Sequence, residues 1–156
     1  MSDFPDDLLN ILHARRTQLK VAFEITERSV LSDLDEVKDR LTTLKGRGAQ
    51  FAIDDFGTAY SNLALLNRFH FDYIKIDRQF VQDIVRDGLA LVESIAFLAK
   101  QVGTVVIAEG VEHPAQLRIL ETINVPLAQG YLFARPGSAR EFAKGYAATL
   151  GSSVAH

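Results

Sequence analysis

Cysteine is absent from the 156 residues, so there is no disulfide framework and no thiolate zinc site. Any metal must be held by oxygen or imidazole ligands. Neither sign of charge dominates: 17 Lys and Arg stand against 20 Asp and Glu, for a formal charge of -3. The signs are mixed along the chain with no basic stripe, which removes the electrostatic drive for binding a DNA or RNA duplex. No apolar run approaches the ~18 residues of a membrane span. The first ten residues carry Asp3, Asp6 and Asp7 in place of a basic stretch followed by an apolar one, so they do not read as a secretory signal. These absences lead to the expectation of a soluble, cytoplasmic protein. Low complexity is missing too, since 47% hydrophobic and 24% charged residues are globular values. The length suits one core, expected over residues 1–150, with Gly151 to His156 as a disordered tail.

What is present is an alternation. Five short runs read as strands buried on both faces: Val21 to Thr26, Gln50 to Asp55, Tyr73 to Asp77, Thr104 to Glu109 and Leu127 to Leu132. Helical periodicity fills the intervals. Asp6 to Leu19 places Leu8, Leu12 and Leu19 near one face, with Arg15 and Arg16 on a solvated one. Leu34, Val37, Leu41 and Leu44 form a second apolar face, from about Ser32 to Gly46 and Gly48. Leu91, Ile95, Leu98 and Val102 form a third, stopped by Gly103, and a further helix starts at Pro114. Ser138 and Glu141 make a capping-box pair ahead of Phe142 and Tyr146.

Strands alternating with helices imply parallel strands joined by right-handed crossovers. The strand starts, at 21, 50, 73, 104 and 127, are separated by 29, 23, 31 and 23 residues. A complete eight-unit barrel uses about 31 residues per unit, so the chain holds about five units. Two architectures remain: an open five-stranded sheet, or five-eighths of a barrel whose beginning is missing. A chain that starts on a helix leading into a strand favours the partial barrel.

Strand periodicity then picks out one face. Glu24 and Thr26, then Asp54, then Lys75 and Asp77, then Glu109, then Gln129 and Tyr131 fall in phase near the C-terminal ends of the five strands, with Asp55 beside Asp54. Parallel strands aim those ends at a common face, and grouped carboxylates there are costly to desolvate without a cation. Glu24, Asp54, Asp55 and Glu109 are hard oxygen ligands suited to Mg²⁺, Mn²⁺ or Ca²⁺. With a lysine alongside, such a site suits phosphate-ester chemistry. His13, His70, His113 and His156 show no ligand spacing, and Phe69, Phe71 and Tyr73 read as core.

Glu24-Ile25-Thr26-Glu27, Asp54-Asp55-Phe56-Gly57-Thr58, Lys75-Ile76-Asp77, Glu109-Gly110-Val111-Glu112 and Gln129-Gly130-Tyr131 follow one another in a pattern that resembles the EAL-domain family, from about Leu8 to Pro136. The resemblance implies a modified TIM barrel that hydrolyses cyclic di-guanylate, a bacterial second messenger, to its linear dinucleotide. It implies that Glu24, Asp54, Asp55 and Glu109 ligate Mg²⁺ or Mn²⁺, and that Lys75, Glu109 and Gln129 act on the attacking water and phosphate. Glu27 is then the brace of the loop from Phe56 to Ser61, and Asp77 and Glu112 are substrate-binding.

Two departures accompany the resemblance. The name-giving Glu-Ala-Leu strand and the next strand's metal-binding Asn are absent, leaving the family's first three strands out. The loop usually read as Gly-Thr-Gly-Tyr is Gly57-Thr58-Ala59-Tyr60, a change worth ~1 kcal/mol if that position needs positive φ. The expectation is therefore a truncated (β/α) barrel that forms a homodimer or is completed by a partner. It is either a phosphodiesterase whose activity is very slow as this chain, or a catalytically inactive binding or interaction module.

Overall fold

The computed structural model describes residues 4–14, 20–26, 34–58 and 63–142. Among the described residues the elements follow in the order α1 (Phe4–Ala14), β1 (Ala22–Thr26), α2 (Leu34–Gly46), β2 (Gln50–Phe56), α3 (Leu63–Phe69), β3 (Tyr73–Ile76), α4 (Arg78–Gln82), α5 (Leu89–Val102), β4 (Val105–Ala108), α6 (Pro114–Thr122) and β5 (Leu127–Ala128). The strands form one parallel sheet in the order β1-β2-β3-β4-β5. That order never reverses, which excludes the doubly wound alternative and leaves the sequential arrangement of a barrel.

One face of the sheet is the deep core. Phe51, Ile53, Ile74, Ile76, Val106 and Ala108 are buried against Val37, Leu41 and Leu44 of α2, Leu65 and Leu66 of α3, Val92 and Ile95 of α5, and Leu120 of α6. Phe69 and Phe71 belong to this core with ring centroids 6.2 Å apart, and the Tyr73 hydroxyl lies 3.3 Å from Gln50 Oε1. N-terminal helix α1 is anchored by buried Leu9 and by Asp6, which pairs with both Arg40 and Arg47.

On the other face the expectation of strands buried on both sides holds for β2 and β3, where Ala52 and Lys75 are buried, and is corrected at β1 and at the starts of β4 and β5. Ala22, Glu24 and Thr26 are exposed, and Val105 and Leu127 keep 38% and 43% of their surface. In a closed barrel, strands from across the lumen cover this face; among the described residues no further strand does so.

The fifth strand is also shorter than its apolar run. Pairing in ladder register ends at Ala128, although Gln129 N–H still donates to Ala108 O (2.8 Å) and Leu132 N–H to Val111 O (2.9 Å). The cause is Gly130, whose backbone presses against Val111 so closely that a Cβ there would lie 2.2 Å from the Val111 carbonyl oxygen. The chain then turns, with Phe133 N–H donating to Gly130 O.

Helix ends follow their sequence signals. Helix α5 stops at Gly103, which takes φ 73 while Thr104 N–H donates to Ala99 O. Helix α6 begins with Pro114. The Ser138 hydroxyl and N–H both reach Glu141 Oε2, at 2.8 and 2.7 Å, which holds the Glu141 carboxyl below its usual range. Residues 15–19 of the expected first helix and the expected tail lie outside the described residues, as do Arg15, Arg16 and His156. Helices α3 and α4, of seven and five residues, carry no sequence expectation, because so short a segment shows too little of the 3.6-residue period.

Two glycine substitutions set a positive φ alone, at Gly103, against a positive φ with crowding, at Gly130. Gly103→Ala meets open space and only a positive φ, so it is expected to cost about 1 kcal/mol. Gly130→Ala forces the 129–132 segment off Val111 and is expected to cost clearly more, by about 1–3 kcal/mol of overpacking strain. Urea denaturation of both variants checks the order; equal losses would mean that the close approach at Gly130 is unimportant.

Candidate active site

The C-terminal strand ends converge on Lys75. This side chain sits on the lumen face of the central strand, 5% exposed, and its Nζ lies 2.7 Å from Glu24 Oε2, 3.0 Å from Asp54 Oδ1 and 2.7 Å from Glu109 Oε1. Strand register explains the convergence: Thr26 pairs with Asp54 and Lys75 with Ile107, so residues two apart on one face point inward together. Burial alone would lower the Lys75 pKa, but the neighbouring carboxylates of Glu109, Glu24 and Asp54 outweigh it and hold the ammonium above the ordinary lysine range. Gln129 donates from Nε2 to Glu109 Oε1 at 2.7 Å, orienting that carboxylate from the neighbouring strand.

Asp55 is separated from this group by backbone geometry. The β2–β3 ladder shifts register between Ile53 and Phe56, Asp55 takes φ 55, and its exposed side chain turns to Asp77. Its pKa is raised by desolvation, by the charges of Asp54 and Asp77 and by a hydrogen bond with Asp77, against a lowering pull from Lys75. Asp77 itself caps α4 by accepting the Gln79 N–H at 2.7 Å. The Glu109 pKa is also raised, by burial first, with Lys75 opposing and Asp54 and Glu24 adding to the rise.

Whether these residues suit a divalent cation is decided by donor chemistry and by Asp54. Its Oδ1 is buried and, although 3.0 Å from the Lys75 ammonium, makes no oriented hydrogen bond; a buried carboxylate oxygen with spare lone pairs is a fit ligand for a hard cation. Among the described residues, however, no three Asp, Glu or His side chains stand arranged to hold an ion. Glu24, Asp54 and Glu109 gather around Lys75, and Asp55 stands apart. Glu27 and residues 59–61 of the loop lie outside the described residues.

A cleft of about 410 Å³ opens beside Glu109 and Gln129, with Arg78, Glu112, Tyr131 and Arg135 on its walls. Glu112 pairs with Arg78 at 2.9 Å, and the Arg135 guanidinium lies 4.6 Å above the Tyr131 ring. Sequence reasoning missed Arg78 and Arg135. The first directly follows Asp77, and the second becomes visible only when the chain turns after Gly130.

Comparison with known proteins decides the family. The EAL domain family model matches residues 1–136. The chain belongs to the EAL-domain family. It is 40% identical over 128 residues to the cyclic di-GMP phosphodiesterase NbdA of Pseudomonas aeruginosa, covering 79% of this chain and 16% of that protein. It is 37% identical to the probable cyclic di-GMP phosphodiesterase PdeG of Escherichia coli, over 85% of this chain and 27% of that protein. The EAL domain of Mycobacterium smegmatis DcpA superposes with a TM-score of 0.86 at 34% identity, over 94% of this chain and 67% of that one. A manganese and cyclic di-GMP complex of Klebsiella pneumoniae BlrP1 superposes with a TM-score of 0.77 at 37% identity, over 87% of this chain and 36% of that one. The chain is a partial EAL domain, and its five parallel strands are part of a TIM-barrel-like fold. Among the described residues no helix is long and apolar enough to cross a membrane.

Lys75 provides a test of this electrostatic arrangement. Removing one member of a buried ion-paired group costs roughly 3–5 kcal/mol. The Glu24 side chain is 54% exposed and screened, so Asp54 and Glu109 dominate. Lys75→Met in metal-free buffer is expected to lose about 3 kcal/mol at pH 8 and less at pH 5, where protonation of Glu109 relieves part of the stranded charge. The sign agrees with Glu109 and Asp55: a carboxyl whose folded pKa is raised favours the fold below its unfolded pKa and loses that contribution as pH rises through the folded value. Unfolding at the two pH values checks this, and an equal loss at both would contradict it.

Proposed function

We propose that this chain carries the cation- and water-handling part of a cyclic di-guanylate phosphodiesterase site and works in the bacterial cytoplasm. The observation that carries the reading is the buried Lys75 ammonium drawn between carboxylates from β1, β2 and the end of β4. Glu24, Asp54, Asp55 and Glu109 are the residues that would hold Mg²⁺ or Mn²⁺. A cation held there would supply a water of lowered pKa and offset charge on the phosphodiester. Lys75 holds its proton and presents fixed positive charge to a phosphate oxygen, Gln129 keeps Glu109 in orientation, and Asp77 and Glu112 meet the substrate from the rim.

A second reading, a catalytically inactive EAL-derived binding or interaction module, is favoured by the missing Glu-Ala-Leu strand and by the exposed lumen face. The two are separated by a phosphodiesterase assay with Mn²⁺, beside Asp54→Asn. The 156-residue chain is expected to bind Mn²⁺ weakly and to turn over at least ~100-fold more slowly than a complete site, since misplacing a reacting group by ~1 Å costs that much. Turnover near one per second that Asp54→Asn abolishes would show that the missing strands are dispensable.

The lumen face, uncovered among the described residues, has a physical consequence for assembly. Exposed edges at β1 and β5 and the uncovered Val105 and Leu127 favour a homodimer or a partner that completes the barrel. Light scattering at tens of micromolar is expected to report a species larger than the monomer, and a stable, non-aggregating monomer would count against the idea.

A further inference from the structure

We infer that Gln116 is a positioning residue for the candidate site: it sets the segment bearing Glu109 and Glu112 against helix α4, and thereby Glu109 against Lys75. Gln116 is only 3% exposed, and a buried amide must find partners for both ends. Its Oε1 accepts two backbone N–H groups, those of Glu112 and His113, each at 2.8 Å. Its Nε2 donates to the carbonyl of Val81 in α4 at 3.2 Å. One side chain thus ties the turn after β4 to a helix whose first residues continue directly from Lys75 and Asp77.

Two further contacts cross the same seam. Arg78 of α4 pairs with Glu112, and Gly110 lies so close to Arg78 that a Cβ would come within 2.3 Å of its Cγ. Both are at the exposed rim, where an ion pair contributes little. Gln116 is the buried one, and an amide at the third position of α6 fits its two N–H partners because the first turn of any helix leaves such donors over.

The tests are Gln116→Leu, Gln116→Glu and Leu120→Ala. Leu120 is buried one turn further along α6 and makes none of the hydrogen bonds that cross the seam, so its loss costs stability and leaves those bonds in place. In isotope-labelled protein, Gln116→Leu is expected to speed amide exchange at Glu112 and His113 at least ~10-fold and to shift the Lys75 Nζ and Glu109 carboxyl signals. It should also weaken Mn²⁺ binding by about tenfold, as loss of supporting contacts does at metal sites. Gln116→Glu keeps the acceptor for the two N–H groups but cannot donate to the Val81 carbonyl, so it should leave the Glu112 and His113 amides protected while moving the Lys75 and Glu109 signals and weakening Mn²⁺ binding in the direction of Gln116→Leu, and Leu120→Ala should leave the signals and affinity in place.

If Leu120→Ala moves the Lys75 and Glu109 signals as far as Gln116→Leu does, the role is merely structural and the inference fails. It fails equally if Gln116→Leu leaves those signals unmoved. The Mn²⁺ readout rests on the proposed function: a wild-type chain that takes up no Mn²⁺ sinks that reading and leaves the Lys75 and Glu109 signals to judge Gln116. Should Gln116→Leu not fold, wild-type exchange decides, because the amides of Glu112 and His113 must then open in one step with those of residues 79–82, and separate opening overturns the inference.

Discussion

Everything at the strand ends depends on one buried ammonium. A lysine placed on the central strand of a sheet costs several kcal/mol to desolvate unless acceptors surround it. Here the acceptors come from two neighbouring strand ends and from the sheet edge. The three carboxylates in turn repel one another and are tolerable together only because Lys75 lies between them. The pairing is mutual, so the sheet register that brings Thr26 opposite Asp54 and Ile107 opposite Lys75 is fixed by charge as well as by the apolar face beneath.

That electrostatic arrangement sits on a fold with two unequal faces. The helix-covered face closes a continuous core from Phe51 to Val106, sufficient for five β/α units to fold around. The lumen face has charged residues at its upper end and exposed aliphatic ones, Val105 and Leu127, lower down. The partial barrel therefore keeps the Lys75 group on its upper rim while, among the described residues, leaving apolar surface uncovered. Folding and completeness are governed by different faces of the same strands.

The residue pattern made the five strands, the apolar helix faces and the Lys75 group legible, because period two and period 3.6 are local properties of sequence. Gly103 and Pro114 marked helix ends for equally local reasons. Three features were not legible. The short fifth ladder depends on the approach of Gly130 to Val111, a tertiary contact that no window of residues contains. Helices α3 and α4 are too short to show a period. The exposure of Val105 and Leu127 depends on which strands lie across the lumen, and an apolar run reads the same whether or not its partner surface is present.

Asp55 shows how backbone and chemistry meet at this rim. In an unbroken strand, adjacent Asp54 and Asp55 would point to opposite faces, and Asp55 would be driven into the apolar core beside Ile53. The register shift between Ile53 and Phe56 and the left-handed conformation at Asp55 turn it outward to Asp77 instead. Aspartate tolerates that conformation better than most residues, so the strain is small compared with the cost of burying an unpaired carboxylate. Gly57, at φ 100 with its Cα against the Phe80 ring, lets the chain leave the strand immediately afterwards. The two acidic residues thus serve different positions: Asp54 in the Lys75 group, and Asp55 at the mouth of the site beside the residue that starts α4.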